Sequence, residues 1–159
     1  MKGKALIVYY SQSGNTRRLA ELIHESTGAD LCEIEALEPY AAEGQAVIKR
    51  AKTEFKEGIH PAYKPVTVSI SDYDTIFIGS PNWCGTIAFP LITFLEEQNW
   101  SGKTVAAFLT HGGGGMSNME QDIRKFCGGA DFKSSYCTKN DGGEQAKAEI
   151  EEWLKNMNE

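Results

Sequence analysis

The sequence predicts an α/β fold, one sheet of five parallel strands with helices on both faces. Three observations predict it. Apolar runs alternate with amphipathic helical patterns along the 159-residue chain, without internal repeats or low-complexity segments. Three of the five runs are apolar throughout, as strands covered on both faces are. Strand and helix in alternation also require right-handed crossovers, which lay the strands parallel. One common order for five such units is 2-1-3-4-5, in which the ligand crevice opens at the carboxyl ends of strands one and three.

The elements follow in order. The first strand is Ala5 to Tyr10, and the helix after Thr16 carries Leu19, Leu22 and Ile23 inward until Gly28 stops it. A short strand runs from Leu31 to Ile34. Val47, Ala51 and Phe55 indicate a helix, whereas His60 to Ser71, with Pro61 and Pro65, reads as a long surface connection. The third strand is Thr75 to Gly79, and Pro90 opens a helix with Leu91, Phe94 and Leu95 inward. The fourth strand is Val105 to Leu109; the helix after it has Ser117 and Glu120 at capping-box spacing and ends at Gly128-Gly129. A weaker fifth strand spans Phe132 to Tyr136, and the last helix places Ala146, Ile150, Trp153 and Leu154 on one face, with Trp153 in the core.

Composition bounds the function. At this length and 41% apolar content, one domain over residues 1–159 is expected. Four residues before Ala5 leave no room for a signal peptide and no run reaches membrane-spanning length, so a cytoplasmic protein without membrane contact is expected. Cys32, Cys84, Cys127 and Cys137 lie far apart, with no histidines at metal spacing, and read as reduced thiols with no metal site. The net charge of −6 argues against sequence-independent nucleic-acid binding and is compatible with an acidic face for basic protein partners.

In the predicted order, three unusual turns meet at one sheet edge. The turn Ser11-Gln12-Ser13-Gly14-Asn15-Thr16 sets hydroxyls, amides and a glycine at a helix start, where backbone donors and the helix dipole favour an anion, typically a phosphate. It is not a Walker loop or a Gly-x-Gly-x-x-Gly fingerprint, so neutral donors would hold the anion. The bland alternative is an ordinary N-cap. The second turn is Ser80-Pro81-Asn82-Trp83-Cys84-Gly85-Thr86, where Trp83 either stacks on a planar ring or folds back as a loop anchor, and Cys84 reads as a plain small apolar residue. The third, Thr110-His111-Gly112-Gly113-Gly114-Gly115, brings bare backbone close to a flat heterocycle or is a disordered loop. His111 either donates to a ring carbonyl or substrate oxygen or bonds its neighbours; His24 and His60 read as surface residues. Together the turns suit a phosphorylated planar heterocycle, a flavin mononucleotide or another nucleotide.

These residues resemble the flavodoxin family. Ser11 to Thr16 is similar to its phosphate-binding signature, and Gly79-Ser80-Pro81-Asn82-Trp83 with Pro90, Phe94-Leu95, Ser101-Gly102-Lys103 and Thr110-His111-Gly112-Gly113 is similar to a flavodoxin-like branch. The resemblance covers nearly the whole chain and is weakest from Pro39 to Asp72. It implies a flavodoxin-like three-layer sandwich holding one non-covalent FMN. The phosphate would sit on Ser11, Ser13, Gly14, Asn15 and Thr16, with Gln12 contributing through backbone or side chain. Trp83 would lie against the ring, Pro81, Asn82, Cys84 and Gly85 would line its edge, and Thr110, His111, Gly112 and Gly113 would approach its pyrimidine side.

Two departures bear on the chemistry. Many electron-carrying flavodoxins place a glycine directly after the stacking aromatic, where a peptide flip lets a carbonyl accept from the half-reduced flavin; here that residue is Cys84, with Gly85 next. Those proteins also tend to close the other ring face with an aromatic, where this chain has His111 and glycines. Two functions follow. One is a redox carrier between protein partners; the other is an FMN-dependent oxidoreductase that reduces a small planar acceptor such as a quinone, with His111 as a donor. A flavin-free binder of a phosphate compound is the third class.

Overall fold

The computed structural model describes residues 3–157. Strands β1 (Ala5–Tyr9), β2 (Asp30–Glu33), β3 (Thr75–Pro81), β4 (Thr104–His111), β5 (Asp131–Phe132) and β6 (Tyr136–Lys139) alternate with helices α1 (Asn15–Thr27), α2 (Gln45–Glu57), α3 (Phe89–Glu96), α4 (Met119–Phe126) and α5 (Ala146–Met157). All strand pairs are parallel, in the order β2-β1-β3-β4-β5, and β6 also pairs with β4.

The twofold period of the strands divides the interior. Leu6, Val8, Ile76, Ile78, Val105, Ala107 and Leu109 face Ala51 of α2, Leu91 and Phe94 of α3 and Ile123 of α4. Ala5, Ile7, Tyr9, Phe77, Ala106 and Phe108 face Leu19 and Ile23 of α1 and Ile150 and Trp153 of α5. The result is the three-layer sandwich that the sequence predicts. Gly79 leaves room between the central strands: Phe108 ring atoms lie 2.1 Å from where its Cβ would stand.

Three expectations need correction. The fifth strand is not continuous. Val105 faces Phe132 and Phe108 faces Tyr136, so three steps on β4 meet four on the edge, and a one-residue bulge divides the lane into β5 and β6. Ser80, Pro81, Thr110 and His111, read as turn residues, end β3 and β4, because pairing continues to Pro81 opposite Thr110 and to His111 opposite Lys139. The capping box at α4 does not form. Asn118 is its N-cap, while Ser117 adopts φ 48° and its hydroxyl bonds Asn82 and the Gly114 carbonyl.

The helix expectations for α1, α3 and α5 stand. Gly28 closes α1 in the left-handed conformation, Pro90 lies in the first turn of α3, and Ala146, Ile150, Trp153 and Leu154 are buried. All four cysteines are free. Among the described residues there is no cluster able to hold a metal and no helix long and apolar enough to cross a membrane.

Candidate functional site

The three turns meet at the carboxyl edge of β1, β3 and β4, and direct bonds lock them together. Thr16 and Thr110 are both buried, with their hydroxyls 2.9 Å apart, which joins the first turn to the end of β4. Asn82 joins the second turn to the third. Its N–H donates to the Thr110 carbonyl (2.9 Å), and its Nδ2 donates to the Gly115 carbonyl (2.9 Å) and to Ser117 Oγ (3.0 Å). Its Oδ1 accepts from the Gly85 N–H at 2.9 Å.

In the first turn Ser11 Oγ, three residues before the N-cap Gly14, accepts from the N–H groups of Gly14 and Arg17, both at 3.1 Å, and so holds the start of α1. Gly14 takes φ 101°, a conformation open to glycine, and no atom lies within 4 Å of where its Cβ would stand. The side chains and N–H groups of Ser13 and Asn15 have no partner among the described residues. These are free donors at the positive end of a helix, the chemistry an anion requires. The neighbouring cation is already paired: Arg17 Nε and Nη2 grip Glu33 at 3.1 and 2.5 Å. Gln12 is engaged differently, with its Oε1 accepting from Tyr10 (2.5 Å) and its Nε2 donating to the Ala41 carbonyl (2.9 Å). Its side chain braces the segment before α2, which leaves its backbone for a ligand.

The second turn is a tight hairpin. Trp83 and Thr86 exchange backbone bonds of 2.8 and 2.9 Å, and Cys84 (φ 54°) and Gly85 (φ 86°) occupy its two central positions. Two positive φ values mark a type I′ turn, in which Cys84 is a costly occupant. The Trp83 ring is held edge-on by Tyr40, Tyr10 and Phe89, with centroids 4.8, 5.1 and 5.4 Å away. Burial raises the Cys84 thiol above its ordinary pKa, with Lys52 opposing the shift.

In the third turn His111 Nδ1 accepts from the Gly113 N–H at 3.0 Å, so the neutral ring carries its proton on Nε2. Gly112 and Gly113 are exposed, with open space where a Cβ would stand.

The sequence reading missed a wall of the site. Helix α2 lies over the second turn, and Val47, Ile48, Ala51 and Lys52 enclose a cavity of about 300 Å³ with Gln12, Asn82, Trp83 and Cys84. The spacing of Val47 and Ala51 reveals a helix; no local signal places that helix against Trp83. Tyr40, which holds Trp83, is itself fixed by a hydrogen bond to the buried Glu54 carboxylate and by the Arg50 guanidinium 3.6 Å above its ring.

Known proteins share this fold. A candidate flavoprotein from Bacteroides eggerthii is similar over 99% of both chains at 27% identity, with a TM-score of 0.81. Another from Bacteroides uniformis is 28% identical over 95% of this chain and 99% of its own, with a TM-score of 0.80. A flavoprotein from Lactobacillus acidophilus, solved in complex with FMN, is 26% identical over 96% of this chain and 99% of its own, with a TM-score of 0.74. The sequence profile of the family described as Flavodoxin matches residues 4–157, so the chain belongs to the flavodoxin family.

Proposed function

We propose that the protein holds one FMN non-covalently and reduces a small planar acceptor with it. The free donors of Ser13 and Asn15, with the Ser11 hydroxyl hydrogen and the open space beside Gly14, fit a phosphate group without a cation. The likeness to an FMN-bound flavoprotein supports the same cofactor here. When bound, FMN supplies electron transfer: a quinone acceptor takes up two electrons and two protons to become the hydroquinone, and an external reductant such as reduced nicotinamide restores the electrons. Gly113 holds His111 in the tautomer that leaves Nε2–H to donate to an acceptor oxygen.

The second turn carries the choice of a reductase over a single-electron carrier. Flipping its central peptide would convert type I′ to type II′, which requires glycine at the first central position. Cys84 stands there, and its side chain opposes the flip by which the resembling carriers hold the half-reduced flavin.

Anaerobic reductive titration of the FMN-loaded protein tests this. The expected course is direct two-electron bleaching, with quinone reduction driven by reduced nicotinamide and no second protein. Cys84→Gly should let a blue half-reduced species accumulate. A stable blue species in the unaltered protein, without turnover, would return the reading to a carrier between protein partners. Failure to form a yellow complex with FMN would remove both.

A further inference from the structure

A second cavity, of about 220 Å³, opens between the end of α2 and helices α3 and α4. Its walls are apolar: Phe55 and Ile59 at the end of α2 and just beyond it, Phe89 and Ile92 on α3, and Phe126 on α4. The Phe55 and Phe89 rings stand nearly parallel, with 20° between their planes and centroids 6.4 Å apart, which gives the wall aromatic faces for another ring. Phe55 is 54% exposed and Ile59 42%, so the mouth opens beside α2. None of the lining residues is among those assigned to the flavin.

Thr86 supplies the cavity with an unanswered polar group. The residue is 7% exposed, and its N–H and carbonyl are both taken by Trp83. Its Oγ1 is the one buried side-chain polar atom without a hydrogen-bond partner among the described residues. A hydroxyl buried in that state costs free energy that a ligand donor would recover. The charged groups of the lining restrict what that ligand is. Glu54 is buried and engaged by Tyr40 and Arg50, and His60 pairs with Glu96 at 2.7 Å. Asp122 and Lys125 bring opposite charges from α4, so the lining holds no excess of positive charge for an anion. Apolar walls and a buried carboxylate favour an uncharged ring with one strong donor.

We propose that this cavity binds uncharged phenols, with the ring among Phe55, Phe89 and Phe126 and the phenolic O–H donating to Thr86 Oγ1. The site is separate from the flavin, so the proposal does not rest on the reductase reading.

Fluorine NMR titration of the flavin-free and FMN-loaded protein with 4-fluorophenol tests it, beside 4-fluorotoluene, which has a methyl in place of the hydroxyl, and 4-fluorobenzoate. Thr86→Val should weaken the phenol about five- to tenfold without weakening the toluene, and Thr86→Ser should leave the ratio of the two as it was. The benzoate should bind at least about tenfold more weakly than the phenol. Amide shifts caused by the phenol should fall at residues 54–60 and 122–126, and its affinity should be equal with and without FMN. Thr86→Val should not lower the urea midpoint, because the hydroxyl it removes has no partner to lose. No phenol binding, an affinity ratio that Thr86→Val leaves unchanged, tighter binding of the benzoate, or displacement of the phenol by FMN would each overturn the proposal. Failure of the protein to take up FMN would sink the redox reading alone, since the flavin-free titration still decides this one.

Discussion

Thr16 and Thr110 stand 94 positions apart in sequence and share one buried hydrogen bond. Thr16→Val would leave the Thr110 hydroxyl buried without a partner, at a cost of about 1–3 kcal/mol; Thr110→Val should cost the same, and the double change should be nearly neutral. Urea unfolding of the three variants measures this, and a double variant that loses the sum of the singles would falsify the pairing. Residue chemistry was legible in part. Ser13 and Asn15 could be read as anion donors because their role depends on a local helix start. Gln12 and Asn82 belong to the same motifs, yet their amides brace neighbouring segments, a role that depends on which loops fold beside them.

Helix α2 shows what an element adds. Its apolar spacing indicated a helix, and the structure extends it to Gln45–Glu57. Its placement comes from contacts with distant residues: Gln12 holds the Ala41 and Ala42 carbonyls, Tyr40 and Tyr10 hold Trp83, and Glu54 and Arg50 hold Tyr40. Gln12→Ala should therefore release the segment leading into α2. Amide exchange is expected to quicken over residues 40–48, while protection in β1, β3 and β4 stays as it was. Unchanged exchange in that segment would mean that the amide contributes nothing to holding the cavity wall. The stretch from His60 to Ser71 is also more than a surface connection, since Ala36 bridges Tyr63, and Tyr63, Val66 and Val68 pack on the core.

For the whole molecule, phenol–carboxylate pairs between residues distant in sequence set a limit on the alkaline side. Burial first, then the acceptor Glu33, pushes Tyr9 up to about 12; burial and Glu149 do the same for Tyr136. For Tyr73 the hydrogen bond to Asp30 comes first and burial second, again to about 12. A phenol whose pKa rises on folding keeps its proton longer in the native state, so its contribution is whole below the ordinary value near 10 and falls as pH climbs from there toward 12. Burial likewise raises the Cys32 thiol to about 11 and pushes Cys127 up, so urea midpoints should begin to fall above about 9 and drop more steeply between about 10 and 12. Tyr9→Phe should flatten part of that drop, and an unaltered slope would show that Tyr9 has no share in it.

Period and composition by themselves determined the layer order, the parallel sheet and the three turns at one edge, because buried strands and crossover handedness are governed by local patterns. Only the tertiary structure decided the bulge that divides the fifth lane, the type I′ geometry at Cys84 and the covering of Trp83 by α2. Each depends on the register or contact of residues far apart in the chain, which hydrophobic periodicity does not encode.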